Sequence, residues 1–130
     1  MAGVRGKAAA LIEASGFVSR VRELLQAAPA VHADETPARA AGGLRYVHLA
    51  CTAYLTLMHT GDRSADAIDA GGVLPGYTGI IVRDGYHAGY GHLTDALHAW
   101  CAAHYPDIAV MPIRGRWRWR AGVGGLAVSA

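Results

Sequence analysis

Three segments rich in β-branched and aromatic residues follow one another between residues 30 and 60: AVHADET (30–36), LRYVHLACT (44–52) and YLTLMHT (54–60). Pro37, the Gly42-Gly43 pair and a tight join near Ala53 are all that separate them, and this predicts three consecutive strands. The flanks read as helices. Val21, Leu24, Leu25 and Ala28 fall at i, i+3, i+4 and i+7 between Ser19 and Ala28, and Pro29 ends that helix. Ser64 is placed to cap a short helix through Ala70, with Asp66 in its first turn and Gly71-Gly72 for a left-handed exit. GVLPGYTG is a turn, and IIVRD (80–84) a fourth strand, apolar enough to be central in a sheet. The stripe Leu93, Ala96, Leu97, Trp100, Cys101 and His104 predicts a last helix, ended by Pro106. The expected class is therefore α/β, in the order helix, three strands, helix, strand, helix.

A chain of 130 residues and 13.6 kDa suits one domain. Its net charge of +2 is too small to name a partner. Ala occurs 26 times and Gly 17 times, which inflates the hydrophobic fraction, yet the regular spacing of Leu, Ile, Val, Tyr and Trp argues against disorder. No apolar run approaches the roughly 20 residues of a membrane helix. The opening MAGVRGKAAALIEASGF is interrupted by Glu13 before it resembles an export signal. The expectation is a cytoplasmic protein with no membrane partner, in which Cys51 and Cys101 are reduced thiols.

Asp34 and Asp84 are the informative acids. Each follows a short apolar strand and precedes a turn residue, Thr36-Pro37 in one case and Gly85-Tyr86 in the other. On neighbouring strands their hard oxygens would converge on a divalent cation such as Mg²⁺, which takes the rest of its shell from water and substrate phosphate. Spacing alone leaves open that both are solvated or capping acids.

These residues also carry a resemblance. HADETPAR (32–39), then YVHLACT, YLTLMHTGDRSADAI, GVLPGYTGIIVRDGY and HLTDALHAWCAAH, resemble the central catalytic domain of bacterial insertion-sequence transposases of family sixty-six, in the DDE class. The resemblance runs from about Phe17 to His104, leaving residues 1–16 as an N-terminal remnant or linker and 105–130 as a divergent tail. It implies a ribonuclease H-like mixed sheet: a three-stranded antiparallel meander, a helix, a further strand and a helix, incomplete at the C-terminal end. It also implies that Asp34 and Asp84 are the first two acids of the DDE triad, binding Mg²⁺ or Mn²⁺, with transposon-end DNA as partner. The implied reaction is metal-dependent DNA cleavage and strand transfer.

Two departures limit that expectation. The family's third acid is a Glu on a helix downstream of the Cys-x-x-His segment, whereas Glu occurs here only at 13, 23 and 35. Asp95 and Asp107 do not stand at the family's position, and Glu35, adjacent to Asp34 on a strand, points to the opposite face. His87 is an insertion in DGYHAGYGHL, where relatives read DGY-x-GY. The expectation is a truncated transposase fragment, inactive as this chain, with a frame shift near codon 105.

The tail supports an alternative. On a strand, Arg114, Arg116, Arg118 and Arg120 would line one face and Trp117 and Trp119 the other, as in a non-catalytic DNA- or partner-binding module, one that associates with an intact transposase. GC-rich DNA read out of frame produces the same residues. Cys101, His104 and His98 at helical spacing would be part of a zinc site only with further ligands, and core packing of a small thiol and a helix-end His is the preferred reading. His32, two residues before Asp34, shares its strand face and is placed to orient a metal ligand or simply to be solvated.

Overall fold

A computed structural model describes residues 3–101 in full and the backbone of residues 126–129. The chain opens with two helices, α1 (Val4–Ala14) and α2 (Phe17–Gln26), hinged at Gly16, whose φ of 71° is left-handed. α1 buries no residue, whereas α2 buries Val21 and Leu25, two members of the apolar stripe read from the sequence.

Three strands follow, β1 (Ala30–Ala40), β2 (Gly43–Cys51) and β3 (Thr56–Gly61), paired antiparallel in succession. β1 runs through Pro37, which separated two segments in the sequence reading. The pairing of β1 with its other neighbour ends at His32, so Pro37 lies where β1 has only one partner among the described residues and the missing N–H is tolerated. The β1–β2 turn has two central residues with positive φ, Ala41 at 50° and Gly42 at 78°, the geometry that matches the twist of a two-residue hairpin.

α3 (Ala65–Asp69) begins as the sequence indicates: Ser64 Oγ accepts from the Ala67 N–H at 3.1 Å, and Asp66 sits in the first turn. At its exit only Gly72 is left-handed (φ 70°), and Gly71 is required for a different reason, since a Cβ there would meet the His59 ring at 2.7 Å. Two carbonyls left unbonded at this exit are satisfied from α2, by Arg22 Nε on Gly71 O (3.0 Å) and Gln26 Nε2 on Gly72 O (3.0 Å).

β4 (Ile80–Arg83) lies parallel to β1 in the middle of the sheet, and the single-turn α4 (His87–Tyr90) follows it. The expected helix over Leu93–His104 is not formed. Residues 97–101 are instead β5 (Leu97–Cys101), parallel to β4. An apolar run this short fits either period, and here pairing with the central strand decides. The change also separates the proposed zinc ligands: three residues apart on a strand, His98 and Cys101 face opposite sides, and His104 lies outside the described residues. Asp95, expected on the polar side of that helix, is instead in the exposed turn before β5. β6 (Leu126–Ser129) closes the edge antiparallel to β5. The Arg114, Arg116, Arg118, Arg120, Trp117 and Trp119 cluster and Asp107 lie outside the described residues.

The sheet order is β3-β2-β1-β4-β5-β6, a mixed α/β arrangement compatible with the ribonuclease H-like fold. Its core lies on the face carrying Val31, Ala33, Ala50 and Ile81, against Val21 and Leu25 of α2, Ile68 of α3, Val73, Leu74 and Tyr77 of the following loop, and Tyr90 of α4.

Candidate functional site

The register of β1 and β4 fixes the relation of Asp34 to Asp84. The parallel pairs are Ala30 with Ile80, Val31 with Ile81 and His32 with Val82, each differing by 50 in number, as Asp34 and Asp84 do (84 − 34 = 50). Extended by two residues past the last pair, the same offset sets Asp34 level with Asp84 on the pleat face of His32 and Val82; Asp34 is the fifth of the eleven residues of β1, not at its end as the sequence suggested, because β1 continues past it in its pairing with β2. Asp34 is still inside β1, opposite Leu49 of β2, whereas Asp84 is the first residue after β4. Both are half-buried, so their carboxylates reach solvent.

Asp84 is held at two points. Its Oδ1 accepts the Tyr86 N–H at 2.8 Å, and its backbone carbonyl accepts Arg83 Nη1 at 2.8 Å. Arg83 is buried, and its Nε donates to His98 Nδ1 at 2.7 Å. His98 Nε2 therefore carries the ring proton and donates to the Leu93 carbonyl at 2.9 Å. For Asp34, by contrast, no hydrogen bond or ion pair is formed by its carboxylate with the described residues. Its charge is felt by Cys51, which shares its face across β2: burial first, and the Asp34 carboxylate second, push that thiol above its ordinary value. His32 is exposed on the same face, beside Asp34.

The opposite face of β1 holds a group the sequence reading placed there without assigning its partners. The Glu35 side chain is fully buried, level with the apolar positions Val31 and Ala33. Arg63 reaches Glu35 Oε1 through Nη2 (3.0 Å) and Nε (3.2 Å), and the Tyr90 hydroxyl donates to Oε2 at 2.7 Å. The Arg63 guanidinium lies over the Tyr86 ring, 4.0 Å from its centre, and the Tyr86 hydroxyl donates back to the Arg63 carbonyl at 2.8 Å. Tyr90 is itself buried. Desolvation, the hydrogen bond to Glu35, and the charges of Glu35, Asp84 and Asp34 push its hydroxyl far above the ordinary tyrosine range, so it stays protonated and donating. The signal available in the sequence was parity: a Glu on the apolar register of a strand needs buried partners.

Hard carboxylate oxygens on two adjacent strands, with Asp34 bonded to no donor among the described residues, fit a divalent cation. Among the described residues no group of three or more His, Cys, Asp or Glu converges as a metal cage. A family model described as Transposase IS66 family matches residues 1–106. The chain belongs to the IS66 transposase family. No curated protein and no solved structure matches it. Asp34 and Asp84 fall within the matched region, together with the whole Glu35 network. Among the described residues no helix is long and apolar enough to cross a membrane.

Proposed function

We propose that this chain is the part of a DDE transposase that carries the first two metal-binding acids, Asp34 and Asp84, and that the intact family member uses them for Mg²⁺- or Mn²⁺-dependent cleavage and strand transfer at transposon-end DNA. The observation that supports the reading is the shared offset of 50 between the β1–β4 pairs and the two aspartates, which puts them level on adjacent central strands. Asp34 and Asp84 would hold the divalent metal, which would supply Lewis-acid charge for activating a water or 3′-hydroxyl and for stabilising the leaving oxygen.

The chain's own part is binding and orientation. Asp34 offers a carboxylate with no competing donor among the described residues, and Asp84 offers its second oxygen, Oδ2, while Oδ1 is fixed by the Tyr86 amide. What these 130 residues lack is a third carboxylate as Glu beyond Asp84, because Glu is confined to positions 13, 23 and 35. Glu35 does not substitute, being committed on the far face to Arg63 and Tyr90. Catalysis by positioning and charge neutralisation tolerates such a loss poorly, so the chain alone is inactive.

The test is incubation of the purified chain with labelled transposon-end duplex and Mg²⁺ or Mn²⁺, alongside Mn²⁺ titration followed by electron paramagnetic resonance. The reading expects Mn²⁺ binding that is lost in Asp34→Asn and in Asp84→Asn, and no nicked or joined DNA. Binding that survives both substitutions overturns the metal assignment, and DNA cleavage by the chain overturns the inactivity.

A further inference from the structure

We propose that Glu35, Arg63, Tyr86 and Tyr90 form a positioning network that sets the placement of Asp84 relative to Asp34 from beneath the sheet. It rests on the reading of Asp34 and Asp84 as a metal-binding pair, and it assigns these four residues no contact with the metal or with DNA.

β1 and β4 stop pairing at His32 and Val82, two residues short of the aspartates, so the β1–β4 hydrogen bonds do not themselves fix one aspartate against the other. Asp34 is still tied to β2, but Asp84 stands at the start of a turn containing Gly85, where the backbone is free of the β1 ladder. Something else must hold that turn against β1, and the buried network spans this gap. Glu35 is covalently next to Asp34, so anchoring its carboxylate anchors the β1 backbone at the first acid. Its Oε2 is held by Tyr90 of α4, and its Oε1 by Arg63 of the β3–α3 loop.

Arg63 is in turn locked to Tyr86 both by stacking, at 4.0 Å, and by the Tyr86 hydroxyl on its carbonyl. Tyr86 is the residue whose N–H holds Asp84 Oδ1, which completes a continuous path of contacts from the Asp34 backbone to the Asp84 carboxylate. Tyr86 and Tyr90 also pack edge to face, with ring centres 6.5 Å apart, which ties the two tyrosines together. A buried ion pair is weak evidence for stability, since desolvation offsets the attraction, but such a pair does restrict which arrangements the surrounding backbone can adopt.

The experiment uses the full chain and two readouts: hydrogen exchange of the Tyr86 amide by NMR, which reports the bond to Asp84 without any metal, and Mn²⁺ affinity. Variants are Tyr90→Phe, Arg63→Ala and the conservative Arg63→Lys, each checked for a folded spectrum, with Asp34→Asn as the control. The network expects Tyr86 amide exchange to rise about tenfold in Arg63→Ala and Tyr90→Phe, with partial rescue in Arg63→Lys and no change in Asp34→Asn, and Mn²⁺ affinity to fall about three- to tenfold in parallel. Unchanged Tyr86 exchange in folded Arg63→Ala and Tyr90→Phe overturns the proposal. If Tyr90→Phe alone fails to fold, Arg63→Ala against Arg63→Lys decides it. Mn²⁺ binding indifferent to Asp34→Asn and Asp84→Asn fails the metal reading instead, and the exchange data still judge the network.

Discussion

Asp34 and Glu35 are consecutive residues of β1 with the same charge, and the strand pleat sends them to opposite sides of the sheet. Glu35 is wholly enclosed and receives three hydrogen bonds, from Arg63 and Tyr90. Asp34 is half-buried, with no hydrogen bond or ion pair to the described residues. A carboxylate that is merely part of the architecture is expected to look like Glu35, because burial of an ion without partners is costly. A carboxylate held ready for a ligand is expected to look like Asp34. The contrast therefore separates the two roles better than residue type does.

The largest effect should come from Glu35. Its replacement by Ala leaves the Tyr90 hydroxyl buried without an acceptor and Arg63 without its ion pair. Breaking a fully buried pair costs roughly 3–5 kcal/mol, but Arg63 is half-exposed and can be rehydrated, so a loss of about 2–3 kcal/mol is expected in urea denaturation. A loss under about 0.5 kcal/mol, the range of ordinary surface changes, would break the contrast.

Tyr90→Phe should cost less, about 1–2 kcal/mol, by orphaning Glu35 Oε2 while keeping the ring. It carries a pH signature as well. The folded hydroxyl titrates far above its unfolded value of about 10, so its contribution is fully present below pH 10 and is lost as pH rises beyond it. Stability of the unaltered chain should therefore fall steeply above about pH 10. In Tyr90→Phe that fall should be shallower, though not absent, because burial also raises the Cys51 thiol and the Tyr77 hydroxyl.

Much of this was legible in the sequence where local signals and tertiary packing agree. The Ser64 cap, the α2 stripe and the apolar IIVR strand each follow from a period or a capping atom that the fold simply uses. Leu93–Cys101 was misread because apolar residues at i, i+3 and i+4 in a short run also satisfy a buried strand, and only the proximity of β4 selects between them. The position of Asp84 at a strand end was readable, whereas Asp34 lies mid-strand because β1 continues through Pro37, and the offset that aligns the two belongs to a pairing between segments 50 residues apart, which no local pattern encodes. The partners of Glu35 were hidden for the same reason: Arg63 and Tyr90 are 28 and 55 residues away.

A stabilising change at the far end of β1 sharpens the contrast. Ala41 adopts φ 50° in the β1–β2 turn, where a left-handed non-glycine residue costs about 1–2 kcal/mol. Ala41→Gly relieves that cost but loosens the unfolded chain, for a net gain of about 0.5 kcal/mol. Five residues of strand separate this turn from Glu35, so the gain should add to the Glu35→Ala loss without coupling. A coupled result would mean that the Glu35 network extends along β1 into the hairpin.

Asp34→Asn should have the smallest effect on folding, within about 0.5 kcal/mol of the unaltered chain, since no hydrogen bond to a described residue is lost and the amide fills nearly the same space. The same substitution should abolish Mn²⁺ binding. Stability untouched and metal binding lost is the pattern of a ligand-facing acid, and Glu35→Gln should show the reverse order, a larger stability loss with weakened binding. If Asp34→Asn instead destabilises the chain as much as Glu35→Gln, both faces of β1 serve the fold and the division of labour between adjacent carboxylates fails.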